Sequence, residues 1–268
     1  MLQKVCSLLT GRRLLFSPCA KGQHLFFSPF VKGGLRGILV WIAVNALLWP
    51  LQSAAETKRP LYEDGVQVRA KPGTVALTFD YGPDPRNTPG IVAILDRYHI
   101  HATFFIEAQF ARRHPELVKL VVEHGNTVAN HSMTHPLLTK TPKSQWHYEI
   151  VEAKQVIEKA SGQKVVCMRP PFGMTTAPIR TYMRDNGLRD VMWDLNSFDY
   201  ERKGTVKLEK WVIGNTYAGY TLLMHDGGGD RSQTIEALPH IIEAFEKKGY
   251  QFDVICKPPA VGTPQRGA

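Results

Sequence analysis

From Lys71 onward, short apolar runs alternate with segments whose apolar residues recur at helical spacing. Val75–Phe79, Ala102–Ile106, Thr127–Ala129, Val165–Met168, Asp190–Trp193, Tyr220–Met224 and Gln251–Ile255 are brief and mostly apolar. Such runs predict strands covered on both faces. Between them, Ile91, Ile94, Leu95 and Tyr98 predict a helix opening at Asn87-Thr88-Pro89, a cap followed by a first-turn proline. Leu117, Leu120 and Val121 predict a second helix. Further helices are expected over 144–161, 176–186 and 232–248. Gly125, Gly162, Gly187 and Gly249 stand just past these segments, where a left-handed residue ends a helix readily. Seven strands alternating with helices imply an α/β fold with a parallel sheet, either a barrel or a doubly wound open sheet.

The first 55 residues read differently. They hold Lys4, Arg12, Arg13, Lys21, Lys32 and Arg36 and no acidic residue, and Gly37–Leu51 is a continuous apolar run. Small residues Ser53-Ala54-Ala55 follow, as a signal-peptidase site requires. Residues 1–55 are therefore expected to be a cleaved leader or, if retained, a membrane anchor through 37–51. Either sends the rest of the chain to a periplasmic or extracellular compartment. The region before Lys32 is long for a leader, which a later translation start near Val31 would explain. Residues 56–72 read as a linker and 258–268, with prolines at 258, 259 and 264, as a loose tail.

This placement changes the meaning of the net charge of +9, which at first suggests a nucleic-acid partner. Six of the nine net positives belong to the leader, and beyond it 27 basic residues face 24 acidic ones. No nucleic-acid partner is expected, and no membrane contact beyond the N-terminal segment. Apolar residues at 43% and charged residues at 21% exclude a disordered or fibrous chain. Beyond the leader only Cys167 and Cys256 remain, both in or near predicted strands, where free buried thiols are common; they are expected to be unpaired.

The chemistry-capable residues fall just after the predicted strands: Asp80, then His131 and His135, Arg169, Asn196 and Asp199, and finally His225 with Asp226. In a parallel α/β fold all C-terminal strand ends lie on one face, so these residues converge. His131 and His135 are four apart, one helical turn, so both can face one metal ion. Asp80 could equally cap the next segment, and Arg169 before Pro170-Pro171 could be structural. His225 is expected on a flexible loop, Gly227-Gly228-Gly229, that lacks the lysine and spacing of a phosphate cradle.

In five ordered motifs, Thr78–Pro83, His131–His135, Arg169–Gly173, Trp193–Tyr200 and Leu223–His225, the stretch 73–257 resembles the NodB-type polysaccharide deacetylases, carbohydrate esterase family 4. The resemblance implies a distorted (β/α)7-8 barrel and a metal-dependent hydrolase that removes N-acetyl, or sometimes O-acetyl, groups from an acetylated polysaccharide. It implies that His131 and His135 hold a divalent metal, most often Zn2+, and that Asp80 is the general base, oriented by Arg169. His225 would be the general acid, tuned by Asp199. The Phe172 backbone N–H would steady the oxyanion, with Leu223 and Trp193 around the acetyl methyl. Peptidoglycan or another N-acetylhexosamine polymer is the expected substrate, with chitin oligosaccharides and acetylxylan also open.

The chain departs from the family at Tyr81, where the second of two successive aspartates normally supplies the third metal ligand. A neutral phenol is a poor zinc ligand. Asp84 could fill the vacancy, or the metal site could have decayed, leaving a catalytically impaired glycan-binding relative. Asp199-Tyr200 likewise replaces the family's usual Asp-Trp.

Overall fold

A computed structural model describes residues 68–258. The leader, most of the linker and residues 259–268 lie outside the described residues. No helix among the described residues is long and apolar enough to cross a membrane.

The sheet is built on β1 (Thr74–Asp80), whose neighbours are all parallel to it. The other strands are β2 (Thr103–Ile106), β3 (Thr127–Asn130), β4 (Cys167–Met168), β5 (Arg189–Asp190), β6 (Leu195–Asn196), β7 (Thr221–His225) and β8 (Gln251–Phe252). Their order is β5-β4-β3-β2-β1-β7-β6, and β8 pairs with the start of β1. Helices α1 (Thr88–Arg97), α2 (Ala108–Arg113), α3 (Pro115–Glu123), α4 (Ala153–Ser161), α5 (Ala177–Asp185), α6 (Thr205–Asn215) and α7 (Ser232–Lys247) provide the crossovers. The result is an open, distorted (β/α) barrel.

Strand parity sorts the side chains. In β1, Val75, Leu77 and Phe79 join the large core cluster that includes Ile91, Leu95, Leu238 and Phe245 of the helices. Alternate residues face the lumen, because successive side chains on a strand point to opposite faces. Ala76, Phe105, Ala129, Cys167 and Val191 form a second, smaller cluster there with Ile255 and Cys256. Continuing that parity toward the C-terminal strand ends gives Asp80, His131, Arg169, Trp193 and, from β7, Leu223 and His225.

The expected strand over 190–193 is split. The Val191 amide still bonds the Met168 carbonyl, but the Asp194 amide already bonds Thr221 on the far side of the barrel. The chain changes partners between those residues, so β5 and β6 are short. The helix expected over 144–161 begins with a π-helical turn, His147–Glu152, before α4. Two helices were not expected. In α2 only Ala108 and Ala111 are buried, and α6 buries Leu208 and Val212, so both carry thin apolar stripes. Asn87 does not cap α1; its side-chain amide instead donates to the Gly229 carbonyl at 2.8 Å.

The expectation of free thiols is overturned. Cys167 and Cys256 form a disulfide with Cα atoms 5.7 Å apart, joining β4 to the segment after β8. Both belong to the same lumenal cluster, which brings 89 residues of separation down to bonding distance.

Candidate active site

His131 and His135 come together, though not on a helical turn. Asn130 Oδ1 accepts the Ser132 amide at 2.9 Å, and Ser132 Oγ accepts the His135 amide at 2.9 Å. Such local side-chain bonds compete with helix formation. Ser132 and His135 adopt left-handed backbone angles instead, with φ of 69° and 58°. The imidazole centroids end 4.8 Å apart. Glu149, buried in the π-helical turn, braces this loop by accepting from the Met133 and Thr134 amides and the Thr134 hydroxyl. No sequence signal distinguished Glu149 from the other polar residues of its helix.

The Arg169 carbonyl accepts from His131 Nδ1 at 2.8 Å, which fixes the tautomer and leaves Nε2 as a lone pair facing the lumen. His131 Nε2 lies 3.6 Å from Asp80 Oδ2. Burial pushes both imidazoles down to about 3, so both are neutral, as metal ligands must be.

Asp80 ends β1 and is buried against Arg169, whose Nη1 donates to Oδ1 at 2.5 Å. The same Nη1 contacts Thr78 Oγ1, while the guanidinium lies 4.0 Å from the Phe105 ring centroid and 5.6 Å from that of Trp193. Burial raises the Asp80 carboxyl above its ordinary value, against the pull of the Arg169 charge. A base raised in this way accepts a proton more readily while its ion pair keeps it oriented.

His225 ends β7 opposite Asp80 in register. Its Nδ1 donates to Asp199 Oδ1 at 2.6 Å, leaving Nε2 toward the cavity. Asp199 Oδ2 accepts from the His225 amide and Thr234 Oγ1, and Ser197 Oγ donates to Oδ1. Burial works against the Asp199 charge, yet His225 and these donors hold its carboxyl below the usual range.

The glycine loop after His225 is pinned rather than flexible. Arg231, buried and unforeseen in the sequence, donates from Nε to the Gly227 carbonyl and from Nη2 to the Gly228 carbonyl. Gly82 and Gly227 let the two crossing loops touch. A Cβ on Gly82 would lie 2.0 Å from Asp226 Oδ2, and one on Gly227 the same distance from the Tyr81 carbonyl.

Tyr81 sits at φ 73°, its ring 4.4 Å from that of His135 and stacked 5.0 Å from that of His225. Burial and the neighbouring Asp80 charge push its phenol up to about 12, so it is no phenolate ligand. Asp84 does not replace it: that carboxylate is engaged by Arg86, through its backbone amide and Nη2. No group of three or more His, Cys, Asp or Glu among the described residues forms a cage. The donors present nevertheless suit a divalent ion held by two imidazoles. His131 Nε2 is presented by its fixed tautomer, and His135 Nε2 is buried with no hydrogen-bond partner.

These groups surround a cavity of about 530 Å³ lined by Asp80, Tyr81, His131, Phe172, Trp193, Leu223 and His225, among others. Phe172 has a left-handed backbone at φ 59° and its ring meets that of His135 edge-on. The lumen thus joins a buried carboxylate base, an oriented imidazole and the His131 Nε2 around one space, with the His135 imidazole packed beside it but not lining it, an arrangement suited to metal-assisted hydrolysis.

The family described as Polysaccharide deacetylase matches residues 67–191. The chain is 33% identical over 180 residues to a peptidoglycan-N-acetylglucosamine deacetylase of Bacillus cereus, covering 66% of this chain and 84% of the relative. It is 33% identical over 191 residues to a chitooligosaccharide deacetylase of Bradyrhizobium, covering 67% and 87%. Among solved structures, a CE4 family pseudoenzyme from Bacillus anthracis aligns with a TM-score of 0.67 and 26% identity, covering 72% of this chain and 68% of that one.

Proposed function

The chain belongs to the polysaccharide deacetylase family, carbohydrate esterase family 4, and on that premise we propose that it is a working, metal-dependent deacetylase of an N-acetylated glycan. The observation that carries this reading is the intact Asp80–Arg169 and His225–Asp199 pairing across the lumen. A decayed site has no need to keep a buried base and an oriented acid together. The peptidoglycan and chitooligosaccharide activities of the relatives support an N-acetylhexosamine polymer as substrate. The Cys167–Cys256 disulfide supports an oxidising, exported compartment, in keeping with the leader-like N-terminus.

In this mechanism His131 and His135 would hold a divalent ion, which when bound would supply polarisation of the acetyl carbonyl and acidification of a water. Asp80 Oδ2 takes the proton from the attacking water while Arg169 holds Oδ1. His225 Nε2 delivers a proton to the leaving amine, and Asp199 fixes the imidazole through Nδ1. The Phe172 N–H steadies the oxyanion, and Leu223 with Trp193 surrounds the methyl group.

A second reading, a glycan-binding pseudoenzyme, rests on Tyr81, whose neutral phenol occupies the third-ligand position. Chelation separates the two. The wild-type protein should release acetate from N-acetylglucosamine oligomers, lose that activity after chelator treatment and regain it with zinc. No acetate release from the zinc-loaded protein would favour the pseudoenzyme, and acetate release unaffected by chelator would remove the metal from the mechanism.

A further inference from the structure

The loop from His131 to His135 has no helix or strand of its own. Ser132 and His135 hold left-handed backbone angles, a region that residues other than glycine keep only when their surroundings over-determine it. The constraint comes from outside the loop, on two sides. On one side stands the start of α2, where the Ala108 and Gln109 amides donate to the Ser132 and Met133 carbonyls, both at 3.0 Å. On the other stands the π-helical turn 147–152. Its Ile150 carbonyl accepts from Asn130 Nδ2 at 2.9 Å, and the Asn130 side-chain oxygen in turn accepts the Ser132 amide.

Glu149, in the same turn, meets the loop through both its carbonyl and its carboxylate. The carbonyl accepts the Met133 amide at 3.1 Å. Oε2 accepts the Met133 and Thr134 amides at 3.0 and 2.9 Å, and Oε1 accepts the Thr134 hydroxyl at 2.7 Å. Turns of the wider π type interrupt the α-helical ladder and are frequent at functional sites. Glu149 is buried, and it forms no ion pair among the described residues. Burying a carboxylate without a cation is costly even when its hydrogen bonds are made. A satisfied polar network of this kind specifies one arrangement more than it adds stability. Met133 lies midway between the two histidines in the chain, and Thr134 directly precedes His135. The grip therefore falls on the backbone that sets how the two imidazoles, 4.8 Å apart, face each other.

We propose that Glu149 is a positioning residue, which fixes the histidine loop from the π-helical turn so that His131 and His135 can engage one divalent ion together. The proposal rests on the metal-dependent reading and deepens it, by naming the residue on which the paired geometry depends. Groups that orient ligating side chains from behind change metal affinity by roughly 10–100-fold when removed.

The test is zinc competition titration and cobalt substitution of the full chain. Glu149→Leu removes the carboxylate and should weaken zinc binding by at least about tenfold. Glu149→Gln can keep the bonds, its oxygen toward the two amides and its NH2 toward the Thr134 hydroxyl, and should bind within about twofold of the wild type. The visible absorption of the cobalt-loaded chain, which reports the donor set, should change in Glu149→Leu and match the wild type in Glu149→Gln. A merely structural residue would lower the urea midpoint of metal-free Glu149→Leu while the folded chain kept its zinc affinity and cobalt spectrum; that result would overturn the proposal. Glu149→Gln binding as weakly as Glu149→Leu would overturn it too, because the bonds would then not be the cause. If Glu149→Leu does not fold, Thr134→Val, at an exposed position, removes the hydroxyl contact alone. It should weaken zinc binding in the same sense, with Thr134→Ser matching the wild type, and unchanged affinity in Thr134→Val would count against the grip. A wild-type chain that binds no zinc would overturn both this role and the metal-dependent reading. Zinc binding that depends on Glu149 in a chain that releases no acetate would refute the deacetylase reading and leave the positioning role standing.

Discussion

Tyr81 occupies a position in the cavity where chemistry and ancestry pull apart. Its phenol is pushed up to about 12, so a divalent ion held by His131 and His135 would have two nitrogen donors and no carboxylate from this corner. Replacing it with a carboxylate supplies a charged oxygen beside two presented nitrogens. Tyr81→Asp should therefore tighten zinc binding by more than about tenfold in a competition titration with a chromogenic chelator. Unchanged affinity would mean that another residue already fills that corner. Asp226, directly after His225, makes a different prediction. Burial pushes its carboxyl up to about 7, with Thr88 Oγ1 donating to one oxygen and the other left without a partner. The folded chain therefore keeps a proton that the unfolded chain releases between about pH 4 and 7, and stability declines as pH rises through that window. Asp226→Asn has no such proton to lose. Its stability in urea should gain on the wild type by up to about 1.4 kcal/mol per pH unit across the window. Parallel stability curves at pH 5 and pH 8 would contradict the assignment.

At the scale of elements, the sequence was most legible where apolar residues are dense. The expected runs at 75–79, 102–106, 127–129 and 220–224 became β1, β2, β3 and β7, and the glycine stops ended the helices as anticipated. It was least legible where burial is thin or partners change. The stripe of α6 rests on Leu208 and Val212, and β5 and β6 divide one apolar run because the chain crosses from β4 to β7 within it. The disulfide was invisible for a related reason. Two cysteines in different strands reveal a pairing only when the sheet order is known, and the lumen brings β4 beside the segment after β8. Since it closes a long loop and anchors a two-residue strand, removing it should matter. Cys167→Ala with Cys256→Ala should lower unfolding stability by roughly 2–5 kcal/mol in urea titrations. A double variant as stable as the oxidised wild type would show that lumenal packing holds that end of the sheet unaided.

For the molecule as a whole, convergence came from parity. The strand ends of a parallel sheet share one face, and residues on the lumenal parity of β1, β3, β4, β5 and β7 supply the base, its arginine, the imidazoles of His131 and His225 and the apolar wall. That much followed from the positions of Asp80, His131, Arg169 and His225 after apolar runs. The supports did not follow: Glu149 behind the histidine loop and Arg231 across the glycines act through geometry that a linear pattern does not encode. The central claim is that this arrangement still performs chemistry despite Tyr81. Its most direct test is the initial rate of acetate release from N-acetylglucosamine oligomers by the zinc-loaded wild type and by Asp80→Asn. The account predicts a wild-type rate at least about 100-fold above that of the variant; equal rates would contradict it and leave a glycan-binding fold without a working base.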